Sequence, residues 1–378
     1  MAQEGTTATR RIRMGLIGLG AAGQNHLAVL SRLPEVDLVG IADLDAALVA
    51  RLGAETGVAL ATTDHRRILA DTSIEAVAIA AADAAHFPLI MDCAAAGKHV
   101  ICEKPIATEV EHGRRMVEAM ERAGRLFCIT FNMRAGGVTR RIKELVEAGA
   151  VGQVRMVRLV GLMAAPDNRL LRERVSEDAA RRRVRTICID GKNALYDCGV
   201  HSFDYARFLT GSEFRRIEAM GYAMRGFPCP DHGVALCEHE NGVFTVVEKG
   251  FDYAYEAKAY KEYVRYEVIG DGGSLAWDLD TQRLRVFSRH ETLDESWPHQ
   301  SKEDVRARLY RGFAESLAAG RLQPWLATGL DGLRAIEAAQ RATDAMAAGG
   351  IVQRTDVGLA PNWFGPTLET AAGNASSQ

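Results

Sequence analysis

Gly18-Leu19-Gly20-Ala21-Ala22-Gly23 is the stretch that decides the fold of the first part of this 378-residue chain. It has the pattern G-x-G-x-x-G and lies between an apolar run at residues 13–17 and a segment with helical periodicity. In such a strand–turn–helix unit, the first glycine permits a tight turn and the second lets the backbone approach a pyrophosphate. The third lets the helix pack closely on the strand, and the helix N-terminus attracts the phosphates. We therefore predict that Gly18, Gly20, Ala21, Ala22 and Gly23 bind a dinucleotide; the alternative is a glycine-rich turn without a nucleotide.

Asp43 stands at the end of the next apolar run, residues 36–42, and twenty residues after Gly23. A carboxylate in this place accepts hydrogen bonds from both hydroxyls of the adenosine ribose. It would also repel a 2′-phosphate, and the following residue, Leu44, is not an arginine that would neutralise one. The sequence therefore predicts Asp43 as a cofactor ligand and NAD, rather than NADP, as the cofactor.

Around the glycine loop, short apolar runs alternate with amphipathic segments, which predicts βα units and a parallel sheet. The predicted strands are residues 13–17, 36–42, 76–81, 99–102 and 126–131. Asp45 is placed to cap a helix that ends at Gly57, and Thr108 with Glu111 predicts a capping box for a helix that ends at Gly124. Residues 1–132 are therefore predicted to form a Rossmann dinucleotide-binding domain.

The second part of the chain has a different pattern. Strands are predicted at residues 154–162, 234–239, 243–247, 264–269 and 284–287, and Asn241-Gly242 is a strong two-residue hairpin signal. Helices are predicted at residues 138–148 and 330–348. This pattern predicts an α+β domain, an antiparallel sheet with helices on one face, over residues 133–365. Residues 366–378 are predicted to be a flexible tail.

Composition excludes several functional classes. The formal net charge of −3, from 46 Lys and Arg against 49 Asp and Glu, provides no field that would attract nucleic acid. No apolar run approaches the ~20 residues that cross a bilayer, and residues 1–11 lack the apolar core of a secretion signal. The seven cysteines contain no C-x-x-C pair. We therefore expect a cytoplasmic protein with reduced thiols, no metal site, no membrane contact and no nucleic-acid partner.

Three further motifs lie outside the glycine loop. Glu103-Lys104-Pro105 follows the predicted strand at residues 99–102, and Gly270-Asp271-Gly272-Gly273-Ser274 forms a late glycine turn. Asp197, His201 and Asp204 have the spacing D-x-x-x-H-x-x-D. With these motifs the chain resembles the glucose–fructose oxidoreductase / inositol dehydrogenase (Gfo/Idh/MocA) family over nearly its whole length. The resemblance implies that the sheet of the second domain is open and mostly antiparallel, and that it joins the chains of a homodimer or homotetramer.

The resemblance also implies roles for individual residues. Lys104 would lie between nicotinamide and substrate, Asp197 would bind or orient the substrate, and His201 would transfer the proton. These roles suit the chemistry, because histidine has the intrinsic pKa nearest neutrality and an ammonium stabilises a developing alkoxide. Asp197 and His201 are four residues apart, so on one helix they would share a face. Whether Lys104 or His201 takes the proton first stays open.

Three other residues are expected near the cofactor by the same resemblance: Glu103, His86 and Arg134. His86 occupies a family histidine position, but the Thr-Pro that usually precedes this segment is Ala81-Ala82 here. Arg134 matches a position near the nicotinamide, and a plain salt bridge is the alternative role.

The predicted function is that of an NAD-dependent dehydrogenase acting on a secondary hydroxyl of a sugar, aminosugar or cyclitol. An NAD-dependent glycosidase that oxidises its sugar transiently and a non-catalytic nucleotide-binding regulator are the alternatives. The charge of the substrate stays open. Seven arginines between Arg169 and Arg185 would suit a phosphate or carboxylate. Acidic residues of the second domain would suit an amino sugar: Glu238, Glu240, Glu248, Asp252 and Glu256.

Overall fold

The computed structural model describes residues 11–163, 193–223, 229–253, 261–349 and 352–353. Elements are numbered over these residues. The first part contains β1 (Ile12–Ile17), α1 (Ala21–Leu30), β2 (Val36–Ala42), α2 (Ala46–Thr56), β3 (Leu60–Thr62), α3 (His65–Ala70), β4 (Ala76–Ile79), α4 (Asp83–Ala95), β5 (His99–Cys102), α5 (Val110–Arg122), β6 (Phe127–Ile129), α6 (Asn132–Ala135) and α7 (Gly137–Glu147).

The elements that follow are mostly strands, with two long helices near the end. They are β7 (Val154–Leu162), α8 (Ala194–Asp197), α9 (Gly199–Thr210), β8 (Phe214–Ala223), β9 (His232–His239), β10 (Phe244–Gly250), β11 (Tyr263–Gly270), β12 (Gly273–Asp278), β13 (Arg283–Ser288), β14 (Thr292–Ser296), α10 (Lys302–Ala319), β15 (Ala327–Thr328), α11 (Gly329–Gly349) and β16 (Val352–Gln353).

The first sheet has the strand order β3-β2-β1-β4-β5-β6-β15. Strands β1 to β6 are parallel, and β15 joins the edge antiparallel to β6. The strand order reverses between β1 and β4, which is the switch point where such sheets bind their ligands, outside the carboxyl ends of the strands. The predicted Rossmann fold is confirmed, and the loops that follow β1, β2, β4 and β5 meet at this crevice.

The second sheet has nine strands in the order β14-β13-β12-β11-β7-β10-β9-β8-β16. It is open and mostly antiparallel, as predicted, with parallel pairs only at β7–β10 and β8–β16. Helices α9 and α11 pack on one face. Side chains alternate along the strands, so Ala235 and Cys237 are buried while Val234 and Leu236 remain exposed on the other face.

Predictions that rest on interactions between residues close in the sequence agree with the structure. Asp45 caps α2 by accepting hydrogen bonds from the backbone N–H groups of Ala47 and Leu48, and Gly57 ends the helix in the left-handed region. Asn241-Gly242 connects the antiparallel strands β9 and β10, with Gly242 at φ +81°. The Asp45 cap and the hairpin are confirmed, since each depends only on neighbouring residues, but the hairpin loop has three residues, 240–242, rather than the predicted two.

The predicted capping box of Thr108 and Glu111 is wrong. Helix α5 begins at Val110 after Glu109, and no side chain caps it. The backbone carbonyl of Thr108 instead accepts a hydrogen bond from the hydroxyl of Tyr196, at 3.2 Å. A hydrogen bond from α8, rather than a capping side chain, therefore contacts the segment before α5.

Two elements that follow the second sheet in the sequence pack with the first domain. Helix α10 packs against α1, and β15 extends the edge of the first sheet at β6. The division of the chain at residue 132 therefore stays a prediction. The tail at residues 366–378, the cluster from Arg169 to Arg185 and Glu256 lie outside the described residues.

None of the described helices is long and apolar enough to span a membrane. Over the same residues, no group of three or more His, Cys, Asp or Glu side chains is arranged to hold a metal ion.

Candidate active site

The glycine loop between β1 and α1 shows why each glycine is needed. Gly18 has φ +94°, and a Cβ there would lie 2.5 Å from the backbone nitrogen of Ala81. A Cβ on Gly23 would collide with the carbonyl oxygen of Gly18, because α1 packs directly on the strand. Around Gly20, by contrast, no described atom lies within 4 Å of such a Cβ. The loop therefore leaves open space at the one glycine that a pyrophosphate would approach.

Asp43 follows β2 and lies beside this loop. Its Oδ2 accepts a hydrogen bond from the backbone N–H of Leu19 at 2.6 Å, and its Oδ1 accepts one from Asp45 at 3.0 Å. The carboxylate is only half-buried, so further lone pairs remain for a ligand. Asp43 therefore positions the loop and presents acceptors at the end of β2.

Lys104 is the second residue after β5 and extends towards the second domain. Its Nζ donates a hydrogen bond to the backbone carbonyl of Asp197 at 3.1 Å and lies 3.7 Å from Oδ1 of the same residue. Burial opposes the charged form, but the nearby Asp197 carboxylate dominates and raises the pKa of Lys104 above its ordinary value. Lys104 is therefore an ammonium at neutral pH, which donates hydrogen bonds and cannot accept a proton.

His201, on α9, has the opposite character. Burial, followed by the positive charge of Lys104, lowers the pKa of His201 to about 3. Its Nδ1 is buried and has no hydrogen-bond partner among the described residues, and its ring packs edge-on against Phe131. His201 is therefore a neutral imidazole at neutral pH, able to accept a proton. Of the two candidates for the base, these protonation states favour His201.

Asp197 and His201 do not share one helix. Asn193 caps α8 by accepting hydrogen bonds from Leu195 and Tyr196, and α8 ends at Asp197. A second helix, α9, starts at Gly199 after the junction residue Cys198. The expectation of a continuous helical face is thus wrong, and Asp197 reaches the site as the last residue of a short helix.

Glu103 belongs to a buried hydrogen-bond chain that the sequence did not reveal. Its Oε1 lies 2.7 Å from Nε2 of His26, whose Nδ1 lies 2.7 Å from the hydroxyl of Tyr310. Its Oε2 accepts from the backbone N–H of Lys104 at 3.1 Å. Although burial opposes it, the hydrogen bond and charge of His26 lower the pKa of Glu103 to about 2. These hydrogen bonds therefore hold the start of the Lys104 loop in place.

His26 had a weak signal in the sequence, since it lies on the helix three residues after Gly23. Nothing in the sequence indicated Tyr310, because it belongs to α10 and is 284 residues from His26 along the chain.

His86 is fully buried beneath the Lys104–Pro105 turn. Its Nδ1 lies 2.9 Å from the carbonyl of Pro105, and its Nε2 lies 3.3 Å from that of Ala81. Both ring nitrogens face the protein backbone, so these contacts support a positioning role and provide no support for a direct contact with the cofactor.

Arg134 takes the alternative role, a salt bridge. Its Nε and Nη2 donate to the two carboxylate oxygens of Asp204 at 2.8 and 2.6 Å, and Nη2 also lies 3.1 Å from Asp331. Arg134 and Asp204 are both buried, and Asp204 is the last residue of the D-x-x-x-H-x-x-D motif. This network ties α6, α9 and α11 together, so its contacts account for the Arg134 charge without a cofactor.

Arg134→Met is expected to lower the free energy of unfolding by about 3–5 kcal/mol, because it leaves the buried Asp204 carboxylate without its partner. Denaturant unfolding measures this loss, and NADH binding by the folded variant is expected to be unchanged. Arg141→Met is the matched control, since the Arg141–Glu295 pair is partly exposed and worth less than about 1 kcal/mol. Unchanged stability with weakened NADH binding would instead make Arg134 a cofactor ligand.

A cavity of about 340 Å³ lies between the two sheets, a size suited to a small ligand. Lys104, which follows the first sheet, and His201, on α9, both line this cavity. Other lining residues come from α1, α6 and α7, from the second sheet, and from α10 with the segment before it, and include Tyr266, Trp277, His299, Lys302 and Arg306. The Lys104 ammonium and the His201 imidazole therefore line one cavity, together with His26 of the helix that follows the glycine loop.

Residues 12–131 match the family model described as "Oxidoreductase family, NAD-binding Rossmann fold", and residues 139–276 match the model of the GFO/IDH/MocA C-terminal domain. The chain belongs to the Gfo/Idh/MocA oxidoreductase family. This confirms the resemblance that the Lys104 and His201 motifs indicated, and it makes the protein an oxidoreductase with an NAD-binding Rossmann domain.

Several relatives of this Gfo/Idh/MocA protein are named sugar or cyclitol dehydrogenases. Levoglucosan dehydrogenase of Pseudarthrobacter phenanthrenivorans is 30% identical over 75% of this chain and 78% of its own length. Myo-inositol 2-dehydrogenase of Thermotoga maritima is 26% identical over 80% and 95%. Among solved structures, levoglucosan dehydrogenase in complex with NADH and L-sorbose has a TM-score of 0.76 at 22% identity, covering 90% of this chain and 97% of that one. The structural likeness extends to both domains.

Proposed function

We propose that this protein is an NAD-dependent dehydrogenase that acts on a secondary hydroxyl of a sugar, aminosugar or cyclitol. The observation that carries the proposal is the pair of complementary protonation states at one cavity, with Lys104 as an ammonium and His201 as a neutral imidazole. Oxidation of an alcohol requires a base for the hydroxyl proton and a donor for the oxygen, and this pair supplies both.

The glycine loop fits a dinucleotide because it is open at Gly20 and closed at Gly18 and Gly23. Bound NAD supplies the hydride acceptor. His201 accepts the hydroxyl proton, while the Lys104 ammonium donates to the oxygen and stabilises the negative charge that develops on it. Asp197 holds the ammonium in place through its carbonyl and its carboxylate. Asp43, beside the loop, supports NAD in preference to NADP, because its carboxylate would repel a 2′-phosphate.

The substrate class is supported by the relatives, whose names include a levoglucosan dehydrogenase and several inositol dehydrogenases. Tyr266 and Trp277, stacked with ring centroids 5.4 Å apart, line the cavity and provide an aromatic surface against which a polyol ring can lie.

The test is to incubate the protein with NAD or NADP and a panel of sugars, aminosugars and cyclitols, following the absorbance of the reduced nicotinamide. Turnover with NAD supports the proposal, and equal efficiency with NADP contradicts the role of Asp43. Tight NAD retention without net reduction, together with release of a glycosidic leaving group, would identify the glycosidase alternative. Binding of NAD without any chemistry would identify the regulator alternative.

We also propose that the open face of the second sheet joins the chains of a homodimer or homotetramer. Its exposed apolar side chains are Met220, Val234, Leu236 and Phe244, on three adjacent strands. Contiguous apolar surface of this kind favours association in water. Light scattering is expected to give a multiple of the 41.1 kDa chain mass, and Leu236→Glu is expected to reduce it. A monomer would contradict this assembly.

The cytoplasm is the proposed location. All six described cysteines are free thiols, and five of them are buried. Reduced, buried thiols are typical of a reducing compartment.

A further inference from the structure

Lys249, on β10, is a buried lysine that the proposed chemistry does not use. Only 9% of its surface is exposed, and its ammonium has no hydrogen bond or ion pair among the described residues. The chain offers a comparison in Lys98, which is 5% exposed but donates to the carbonyls of Asp71 and Ile74 at 2.7 and 2.8 Å. Lys98 is therefore satisfied by the fold, whereas the amine of Lys249 is left without a polar partner by the described protein atoms, and burial lowers its pKa below the ordinary value of a lysine.

The position of the Lys249 ammonium follows from Gly161. The two residues are paired across β10 and β7, and a Cβ on Gly161 would lie only 2.5 Å from Nζ of Lys249. The ammonium therefore lies over Gly161, where any other residue would block it. On the far side, Gly161 pairs with Val264 of β11, which lines the cavity. The side chain thus runs across the covered face of the sheet towards the cavity wall.

Lys249 is also close to the reacting groups. Its positive charge is one of those that lower the pKa of His201, after burial and Lys104. The carboxylates of the site have other partners, since Asp197 lies beside Lys104 and Glu103 bonds to His26. Neither is within 4 Å of the Lys249 ammonium. A buried ammonium without a partner is unfavourable, which is why burial lowers the pKa of Lys249, and an anionic ligand beside it would favour the charged form.

We propose that Lys249 binds a carboxylate of the substrate, so that the polyol oxidised at Lys104 and His201 is a sugar or cyclitol acid. The inference rests on the proposed dehydrogenase function and specifies its substrate class. One ammonium balances one negative charge, which matches a carboxylate. A phosphate dianion carries about two negative charges, which a single lysine balances only in part. The carboxylate pairs with Lys249 while the neighbouring hydroxyl lies between Lys104 and His201.

The experiment compares matched acid and neutral substrates in the full-length protein with NAD. The pairs are D-glucuronate with D-glucose and D-galacturonate with D-galactose, and D-glucose 6-phosphate tests a phosphate. The wild type is expected to oxidise an acid with kcat/KM at least about tenfold above its neutral partner, since a hydrogen bond to a charged group contributes roughly that factor or more. Lys249→Met is expected to remove this preference by raising KM for the acid, with little change for the neutral sugar.

Two controls keep the result interpretable. Lys261→Met removes an exposed lysine that precedes β11 and pairs with Asp280, and it is expected to leave the kinetics with both substrates unchanged. The Tm of Lys249→Met is expected to equal or exceed that of the wild type, because methionine removes a buried amine that has no polar partner among the described residues. A lower Tm would show that Lys249 has a structural partner and would overturn the inference.

The remaining outcomes separate the two proposals. Neutral polyols oxidised as well as the acids, a preference for the phosphate, or an equal loss on both members of a pair in Lys249→Met would overturn the carboxylate site alone. If the wild type binds NADH but oxidises no polyol of either kind, the dehydrogenase proposal fails and the carboxylate site fails with it.

Discussion

Lys104→Met is expected to lower kcat/KM for polyol oxidation by about 100- to 1,000-fold, the usual effect of removing one preorganised donor to a developing oxyanion. The loss is expected mainly in kcat, because the ammonium gains most from the charge that appears on the oxygen in the transition state. Steady-state kinetics at saturating NAD measure it. NADH affinity is expected to change much less, since the Lys104 ammonium contacts the carbonyl and the carboxylate of Asp197.

The same variant tests the electrostatic coupling at the site. The charge of Lys104 is the largest cause, after burial, of the low pKa of His201. Its removal is expected to raise the pKa of His201, so that an acid limb of the kcat/KM profile moves to higher pH. Lys261→Met, which removes an exposed lysine paired with Asp280, serves as the control. Activity of Lys104→Met within a few-fold of the wild type would refute the donor role.

His201→Gln is expected to lower kcat/KM for oxidation by about 100- to 10,000-fold, the range for loss of a general base. Glutamine retains the size and polarity of the ring but has no proton-accepting nitrogen. The wild-type profile is expected to be level between about pH 5 and pH 9, because the pKa of His201 is about 3 and that of Lys104 lies above its ordinary value. An acid limb near pH 6.5, the pKa of an ordinary histidine, would contradict the buried neutral imidazole.

The direction of the reaction provides a second readout for His201. Reduction of a ketone requires the imidazolium as acid, which is scarce at neutral pH when the pKa is about 3. The rate of reduction is therefore expected to rise as the pH falls, whereas oxidation stays level.

Stability depends on pH with a defined sign as well. The unfolded chain protonates His201 below about pH 6.5 while the folded chain does not, so this residue makes the fold less stable as pH falls towards 3. Denaturant unfolding between pH 7 and pH 5 measures the effect, and His201→Gln is expected to reduce it.

Much of the first domain was predictable because its signals are local. Gly18 and Gly23 are required by a turn and by a helix that packs on its own preceding strand, and Asp45 caps the helix that it precedes. These interactions involve residues within a few positions of each other. Backbone geometry therefore restricts the residue types, and the restriction is visible in the sequence.

The site was predictable only as separate motifs. Lys104, Asp197 and His201 were identified from their motifs. Which of Lys104 and His201 is charged and which is neutral depends on burial and on the 3.7 Å distance between Lys104 and Asp197. Arg134 was visible as a charge, while its partners Asp204 and Asp331 were not. Protonation and pairing depend on desolvation and distance, and these exist only once the two domains pack.

By itself the sequence determined the glycine loop, five strands of the Rossmann sheet, the mostly antiparallel character of the second sheet and the residue types available for chemistry. Tertiary structure decided that His26 bonds to Glu103 and Tyr310, that β15 completes the first sheet, and that Lys249 crosses Gly161 towards the cavity. The physical reason is the range of the interactions. Turns, caps and strand periodicity are set by near neighbours, whereas a buried charge finds its partner among residues brought close only by folding.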